Sequence, residues 1–64
     1  MKKVTIQFDR LVVENSPGAW LMEFDGKGHW IPKADSTIYD TGNMVETPMW
    51  LVVQKGLEAY IVED

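Results

Sequence analysis

A β-hairpin signal in the first half of the chain constrains the fold more than any other feature of this sequence. Two apolar, aromatic-rich runs flank residues 25–28, which read D-G-K-G. Glycine tolerates the backbone angles that a tight reversal needs, so the pattern predicts two antiparallel strands over residues 19–24 and 29–32. Two of the three tryptophans lie on this predicted hairpin.

The number of loop residues decides which side chains share a face of the hairpin. A four-residue loop over residues 25–28 pairs Phe24 with His29 and puts Trp30 on the face of Leu21. A loop with an odd number of residues turns Trp30 to the other face, because a slip of one residue reverses every side chain. We favour the four-residue loop.

The first segment, residues 3–14, has the alternation of a half-buried strand. Ile6 and Phe8 alternate with polar residues, but the apolar positions shift from even to odd numbers at Leu11. Either a β-bulge near residues 9–10 restores a single face, or the strand bends there and serves two sheets. Both readings predict a long, bent first strand.

Turn residues divide the rest of the chain into short elements. Residues 15–18 (N-S-P-G) and 40–43 (D-T-G-N) are turn sequences, and short strands are predicted over residues 37–39 and 44–46. Pro32 lacks an N–H group, so it is expected to end its strand or to lie on a sheet edge.

A short helix is predicted near the end of the chain. In Thr47-Pro48 the threonine is a suitable N-cap and the proline a suitable first helical residue, so the helix is expected over residues 48–55. Gly56-Leu57 supplies the left-handed stop and the apolar contact of a Schellman C-terminus. Residues 58–62 (E-A-Y-I-V) are predicted to form a final strand.

These elements predict one mainly β domain over residues 1–64. Five extended stretches, with one short helix before the last strand, are compatible with a small five-stranded SH3-like or OB-like barrel. We expect no second domain, since the chain has only 64 residues and contains no linker or repeat.

A chain of this size buries little apolar surface, and it has no cysteine that could form a disulfide or a thiolate metal site. The remaining supports are therefore a dense aromatic core or association with another chain. We predict a homodimer, because two-fold pairing is the commonest way to bury surplus apolar surface. The aromatic residues available are Phe8, Trp20, Phe24, Trp30, Tyr39, Trp50 and Tyr60.

The charge pattern disfavours nucleic acid as the partner. The formal net charge is −4, from 10 acidic and 6 basic residues, and the basic residues are scattered apart from Lys2-Lys3. Phosphate binding needs clustered Lys and Arg. No apolar run is long enough for a signal peptide or a membrane span, so we expect a cytoplasmic protein that does not enter a membrane.

Catalysis finds little support in the sequence. His29 stands beside a predicted turn, and Ser16 and Ser36 occur in turn contexts that explain them. The D-G-K-G segment lacks the spacing of a calcium loop and of a phosphate-binding loop. We therefore predict that the protein is not an enzyme and has no metal site and no cofactor.

Two sequence segments carry a resemblance to a known group of proteins. The chain reads W-I-P-K at residues 30–33, and T-P-M-W-L at residues 47–51 is followed by K-G-L at residues 55–57. In these features it resembles small uncharacterised accessory proteins of bacteriophages and prophages, which carry W-I-P-K-S and a later P-x-W-L…K-G-L. The resemblance covers about two thirds of the chain, and Ala34 stands where that pattern has serine. It implies a phage accessory setting and no particular activity.

The predicted function is a non-enzymatic protein-interaction module that binds and modulates a host protein in defence, replication or transcription. The edges of a small barrel can pair with another chain, and its acidic surface suits a basic partner patch. The alternative is a single-stranded nucleic-acid-binding OB-like protein that stacks bases on the hairpin tryptophans. The candidate partner-binding residues are Trp20, Met22, Trp30, Pro32, Lys33 and Trp50.

Overall fold

The computed structural model describes residues 2–39 and 42–62, which form two three-stranded antiparallel sheets, a short helix and a 3-10 turn. In chain order the elements are β1 (Lys3–Gln7), β2 (Arg10–Val13), β3 (Ala19–Phe24), β4 (Lys27–Pro32), β5 (Thr37–Tyr39), β6 (Met44–Pro48), helix α1 (Met49–Lys55) and the 3-10 turn Glu58–Tyr60. Sheet A has the order β1-β6-β5, and sheet B has the order β2-β3-β4.

The mainly β character is as predicted, but the five-stranded SH3-like or OB-like barrel is wrong. The chain has six strands in two separate sheets, and within the described residues no barrel closes. The predicted final strand over residues 58–62 is also wrong, so the helix does not precede a last strand. That segment forms the 3-10 turn and then a single bridge between Ile61 and Ile6, with the Val62 N–H donating to the Thr5 carbonyl at 2.9 Å.

The first segment serves two sheets, which was one of the two alternatives for its shift in alternation. β1 pairs with β6, and β2 pairs with β3. Between them the Phe8 N–H donates to the Asn43 carbonyl and the Asp9 N–H to the Glu23 carbonyl, at 2.9 Å and 2.8 Å. A bulge does occur, but it lies between Leu11 and Val13 and not near residues 9–10.

The hairpin closes with two residues and not with the predicted four. Asp25 and Gly26 have φ angles of 53° and 83°, the left-handed pair that a tight type I′ turn needs. Phe24 therefore pairs with Lys27, and Leu21 pairs with Trp30. Because both loop lengths are even, Trp30 still shares a face with Leu21, as the favoured reading predicted.

The helix starts one residue later than predicted and without the predicted threonine cap. Thr47 belongs to β6, Pro48 occupies the N-cap position, and no side chain caps the helix. Strand pairing with β1 continues to the end of β6, where the Met49 N–H donates to the Lys2 carbonyl at 2.9 Å. Thr47 therefore pairs with Val4 in the strand ladder and does not cap the helix.

The C-terminus of α1 is confirmed as a Schellman motif. Gly56 has φ 70° and ψ 34°, and the Leu57 N–H donates to the Val52 carbonyl at 2.9 Å. Leu57 is buried, which supplies the apolar contact of the motif.

The core lies between the two sheets and is closed by α1 and Leu57. Its buried apolar members are Ile6, Phe8, Met22, Phe24, Ile31, Val45, Leu51, Val52 and Leu57. The core is aromatic only in part: Phe8 and Phe24 are buried and Trp20 and Tyr60 pack against it, whereas Trp30, Tyr39 and Trp50 are 47%, 41% and 50% exposed. Aliphatic side chains from both sheets and α1 fill most of the remaining interior.

The left-handed backbone at Gly56 predicts an order of stability among its variants. A Cβ built there meets no atom within 4 Å, so any loss reflects backbone strain and not a clash. We expect Gly56→Asn to lower the free energy of unfolding by about 1 kcal/mol or less, and Gly56→Val by about 2 kcal/mol, because β-branched residues tolerate this region least. Urea denaturation measures both, and equal losses would contradict strain as the cause.

Candidate protein-interaction surface

The face of sheet B that points away from the core carries apolar side chains. Met22 and Phe24 of the central strand are buried, so the alternate residues of β3 point outward. The register then places Val13, Leu21 and Trp30 in one row across the three strands, with Ala19 opposite Pro32 beside them. We call Val13, Ala19, Leu21, Trp30 and Pro32 the outer patch.

The outer patch differs from the usual solvent face of an antiparallel sheet, which is polar. Trp30 is 47% exposed, and the remaining members are half-buried. Trp30 lies directly opposite Leu21, and an aromatic ring opposite an aliphatic side chain makes a favourable cross-strand pair. The most exposed part of the outer patch is therefore the indole ring of Trp30, and its neighbours in the patch are half-buried apolar side chains.

An ion pair borders the patch on one side. Arg10 Nη2 lies 3.4 Å from Glu23 Oε2, and the two residues are cross-strand partners. The Arg10 side chain is 67% exposed, so the pair contributes little to stability. The Glu23 carboxylate nevertheless balances the charge of Arg10 at this edge of the outer patch.

The outer edge of β4 presents backbone groups in an alternating pattern. In a two-residue hairpin the residues beside the turn exchange hydrogen bonds, and the bonded pairs then alternate along the strands. The Lys33 N–H, which donates to the Gly18 carbonyl at 2.9 Å, fits that alternation. The backbone groups of Gly28 and Trp30 consequently point away from β3, while Pro32 offers only a carbonyl. Pro32 is thus confirmed at the end of an edge strand.

Three predicted partner-binding residues do not contribute to the outer patch. Met22 is fully buried in the core, and Trp20 packs against the core from the inner face of sheet B. Lys33 covers that tryptophan: its Nζ lies 5.6 Å from the centre of the Trp20 ring and donates to the Glu14 carbonyl at 3.0 Å. Lys33 is therefore committed to contacts within the chain.

Trp50 lies on another part of the surface, on helix α1. It is 50% exposed, as is Val53 at 52%, and Leu51 and Val52 supply the buried side of the helix. Leu51 and Val52 are therefore the buried anchors of the helix. Of the six predicted partner-binding residues, the sheet brings together Trp30 and Pro32.

The predicted partner-binding residues left out Val13, Ala19 and Leu21, although Leu21 was expected on the same face as Trp30. The signal that could have found them is the Asp25-Gly26 pair, the commonest sequence of a two-residue turn. With Met22 and Phe24 assigned to the core, that turn fixes Leu21 opposite Trp30 on the outward face. The location of Val13 depends in addition on the bulge in β2.

The described residues contain no group of three or more His, Asp or Glu that could hold a metal ion. His29 packs the edge of its ring against Phe24, with the ring centres 5.8 Å apart. A groove of about 470 Å³ lies beside the 3-10 turn, and the described residues that line it include neither histidine nor serine. Within residues 2–39 and 42–62, no helix has the length and apolar character needed to cross a bilayer.

Comparisons of the chain with models of protein families, with curated proteins and with solved structures found no match. The resemblance to small phage and prophage proteins therefore stays a prediction that depends on the W-I-P-K and P-M-W-L segments.

Proposed function

We propose that this chain is a non-enzymatic protein-interaction module that binds a partner protein through the outer patch. The observation that carries the proposal is the apolar row of Val13, Leu21 and Trp30 on the solvent face of an antiparallel sheet. Isolated exposed apolar residues are normal, but three neighbours in one row form a continuous surface. In the phage setting that the resemblance implies, the partner is a host protein in the cytoplasm.

The partner is expected to have an apolar pocket surrounded by basic residues. Tryptophan is the side chain most enriched among the residues that dominate binding energy, and such residues lie near the centre of an interface. Trp30 is the most exposed member of the outer patch and lies at its β4 end, directly opposite the half-buried Leu21. The net charge of −4 adds long-range attraction to a basic surface and accelerates association.

The nucleic-acid alternative has weaker support. Bases that stack on an aromatic ring also need cations nearby to contact the phosphates. Lys33 covers Trp20 and not the exposed Trp30, and Arg10 at the border of the patch is paired with Glu23. Contacts within the chain thus engage both Arg10 and Lys33, which favours a protein partner.

A pair of lysine variants tests the outer patch. Val13→Lys introduces a charge into the row, whereas Thr37→Lys introduces the same charge at an exposed position of β5 in the other sheet. In quantitative affinity purification from a bacterial host lysate, we expect Val13→Lys to reduce enrichment of the partner at least about tenfold, because a buried unpaired charge disrupts an apolar interface.

Thr37→Lys should leave that enrichment unchanged. Circular dichroism of both variants checks that they fold. Equal enrichment by wild type and Val13→Lys would contradict the outer patch as the binding surface, and recovery of nucleic acid without protein would favour the alternative.

A further inference from the structure

We infer that the edge of β4 pairs with β4 of a second copy of this chain, about a two-fold axis through His29. The inference concerns the purified chain alone and does not depend on the partner protein proposed above. It is drawn from three features of this one strand: its outward backbone groups, the shape of its outer face and the order of its charges.

The backbone groups of β4 match their own copy in this register. An axis through His29 places Gly28 of each copy opposite Trp30 of the other, and both residues have outward N–H and C=O groups. Two such pairs exchange about four backbone hydrogen bonds. Pro32 then falls opposite Gly26 of the second copy, beyond its strand, so the missing N–H of proline leaves no gap in the ladder.

The outer face of β4 has a depression and a projection two residues apart. Gly28 is not among the glycines with positive φ, so its backbone does not require glycine. A Cβ at Gly28 would lie 3.2 Å from Leu21 Cδ1, so the Leu21 side chain packs over that position. Because Gly28 has no side chain of its own, the outer face of β4 has a depression there. Trp30 is the exposed projection. Two-fold pairing sets each Trp30 over Gly28 of the other copy, the arrangement by which aromatic rings protect edge glycines.

The charges of the strand select this register. With the axis at His29, Lys27 faces Ile31 of the second copy, so no two like charges face each other along the strand. Moving the axis to Trp30 would place Lys27 opposite Lys33 of the other copy, and like charges directly opposite each other are unfavourable. Pairing at His29 would join the two outer patches into one continuous face.

A single introduced cysteine tests the register directly, because the chain has no cysteine of its own. Residues 29 of the two copies would form a non-hydrogen-bonded pair with Cα atoms about 4.5 Å apart, within the range that a disulfide spans. We expect His29→Cys at low micromolar concentration to oxidise almost completely to a covalent dimer. Thr37→Cys, on the edge strand of sheet A, is the matched control and should form no disulfide-linked dimer under the same conditions.

Light scattering coupled to gel filtration tests the association without a covalent link. Wild type should have the mass of two chains, and Trp30→Pro should raise the dimer dissociation constant at least about 30-fold. This substitution removes an outward N–H and the projecting ring without removing a bond to β3. Val13→Lys, two strands away, should stay dimeric even though it loses the partner protein.

A wild-type mass of one chain, or a thiol at position 29 that oxidises no faster than one at position 37, would overturn the inference. The cysteine comparison is independent of whether Trp30→Pro folds. A wild-type chain that is monomeric but still enriches the partner protein would reject self-pairing alone. A wild-type dimer that captures no partner protein would reject the proposed function alone.

Discussion

Phe24→Ala is expected to lower the free energy of unfolding by about 3–5 kcal/mol. Phe24 is 1% exposed, and its ring lies 5.3 Å from the Tyr60 ring and 5.8 Å from the His29 ring, centre to centre. Truncation removes this buried surface and leaves a cavity between sheet B and the C-terminal segment. Since a 64-residue domain has about 3–10 kcal/mol of stability in total, this loss removes a large part of it.

Tyr39→Ala is the matched control for this loss. It also removes an aromatic ring from a strand, but Tyr39 is 41% exposed and lies outside the core. We expect it to cost about 1 kcal/mol or less. Urea denaturation followed by circular dichroism measures both variants. A loss of the same size for both would mean that exposure does not separate core rings from surface rings in this chain.

The hairpin was predictable from the sequence in location and in facing, but not in register. Gly28 was assigned to the loop because glycine tolerates the backbone angles of a tight reversal, and this assignment lengthened the loop from two residues to four. The structure gives Gly28 a different role, since Leu21 occupies the space that a side chain there would need. That contact joins neighbouring strands, and the local sequence does not encode it.

The alternation pattern of the first segment predicted where the strand breaks but not why it breaks. The change of phase between Phe8 and Leu11 correctly marked a break, and the crossing between sheets was one of the two explanations offered. The pattern could not choose between them because the partner strand of β1 is β6, almost forty residues later. Non-local pairing of this kind is set by the packing of the whole domain.

The last segment was mispredicted because local preference and tertiary context disagree. E-A-Y-I-V has the composition of a strand, yet Leu57 must turn into the core directly after the Schellman motif. The i to i+3 hydrogen bond from the Ile61 N–H to the Glu58 carbonyl, 3.2 Å, then keeps the chain in a 3-10 turn. Ile61 reaches β1 only after that turn, so one bridge forms in place of a strand.

The candidate surface was predicted only in part, because the sequence does not show which apolar side chains face the core. A small domain needs buried apolar area, and the sequence argument assigned that area to its aromatic residues. Trp30, which was also a candidate for partner binding, lies outside the core because the two-residue turn directs its side chain to the outer face of sheet B. The amount of apolar surface follows from composition, but the side on which it lies follows from register.

Thr47 and Ser36 carry the second large expected effect, through a buried hydrogen bond between their hydroxyl groups. Thr47 is fully buried, and its Oγ1 lies 2.9 Å from Ser36 Oγ. In Ser36→Ala the Thr47 hydroxyl would stay buried without this partner, so we expect a loss of about 1–3 kcal/mol. In Thr47→Val the half-buried Ser36 can turn to water, so we expect a smaller loss of about 1 kcal/mol.

The double variant Ser36→Ala, Thr47→Val separates this explanation from helix capping. Because it removes both hydroxyls together, no polar group is left unsatisfied, and its loss should be smaller than that of Ser36→Ala alone. A threonine that capped α1 would instead cost about 1 kcal/mol on removal whatever stood at position 36. Urea denaturation of the four chains gives the coupling energy. Additive losses would contradict the hydroxyl pair as the source of the loss.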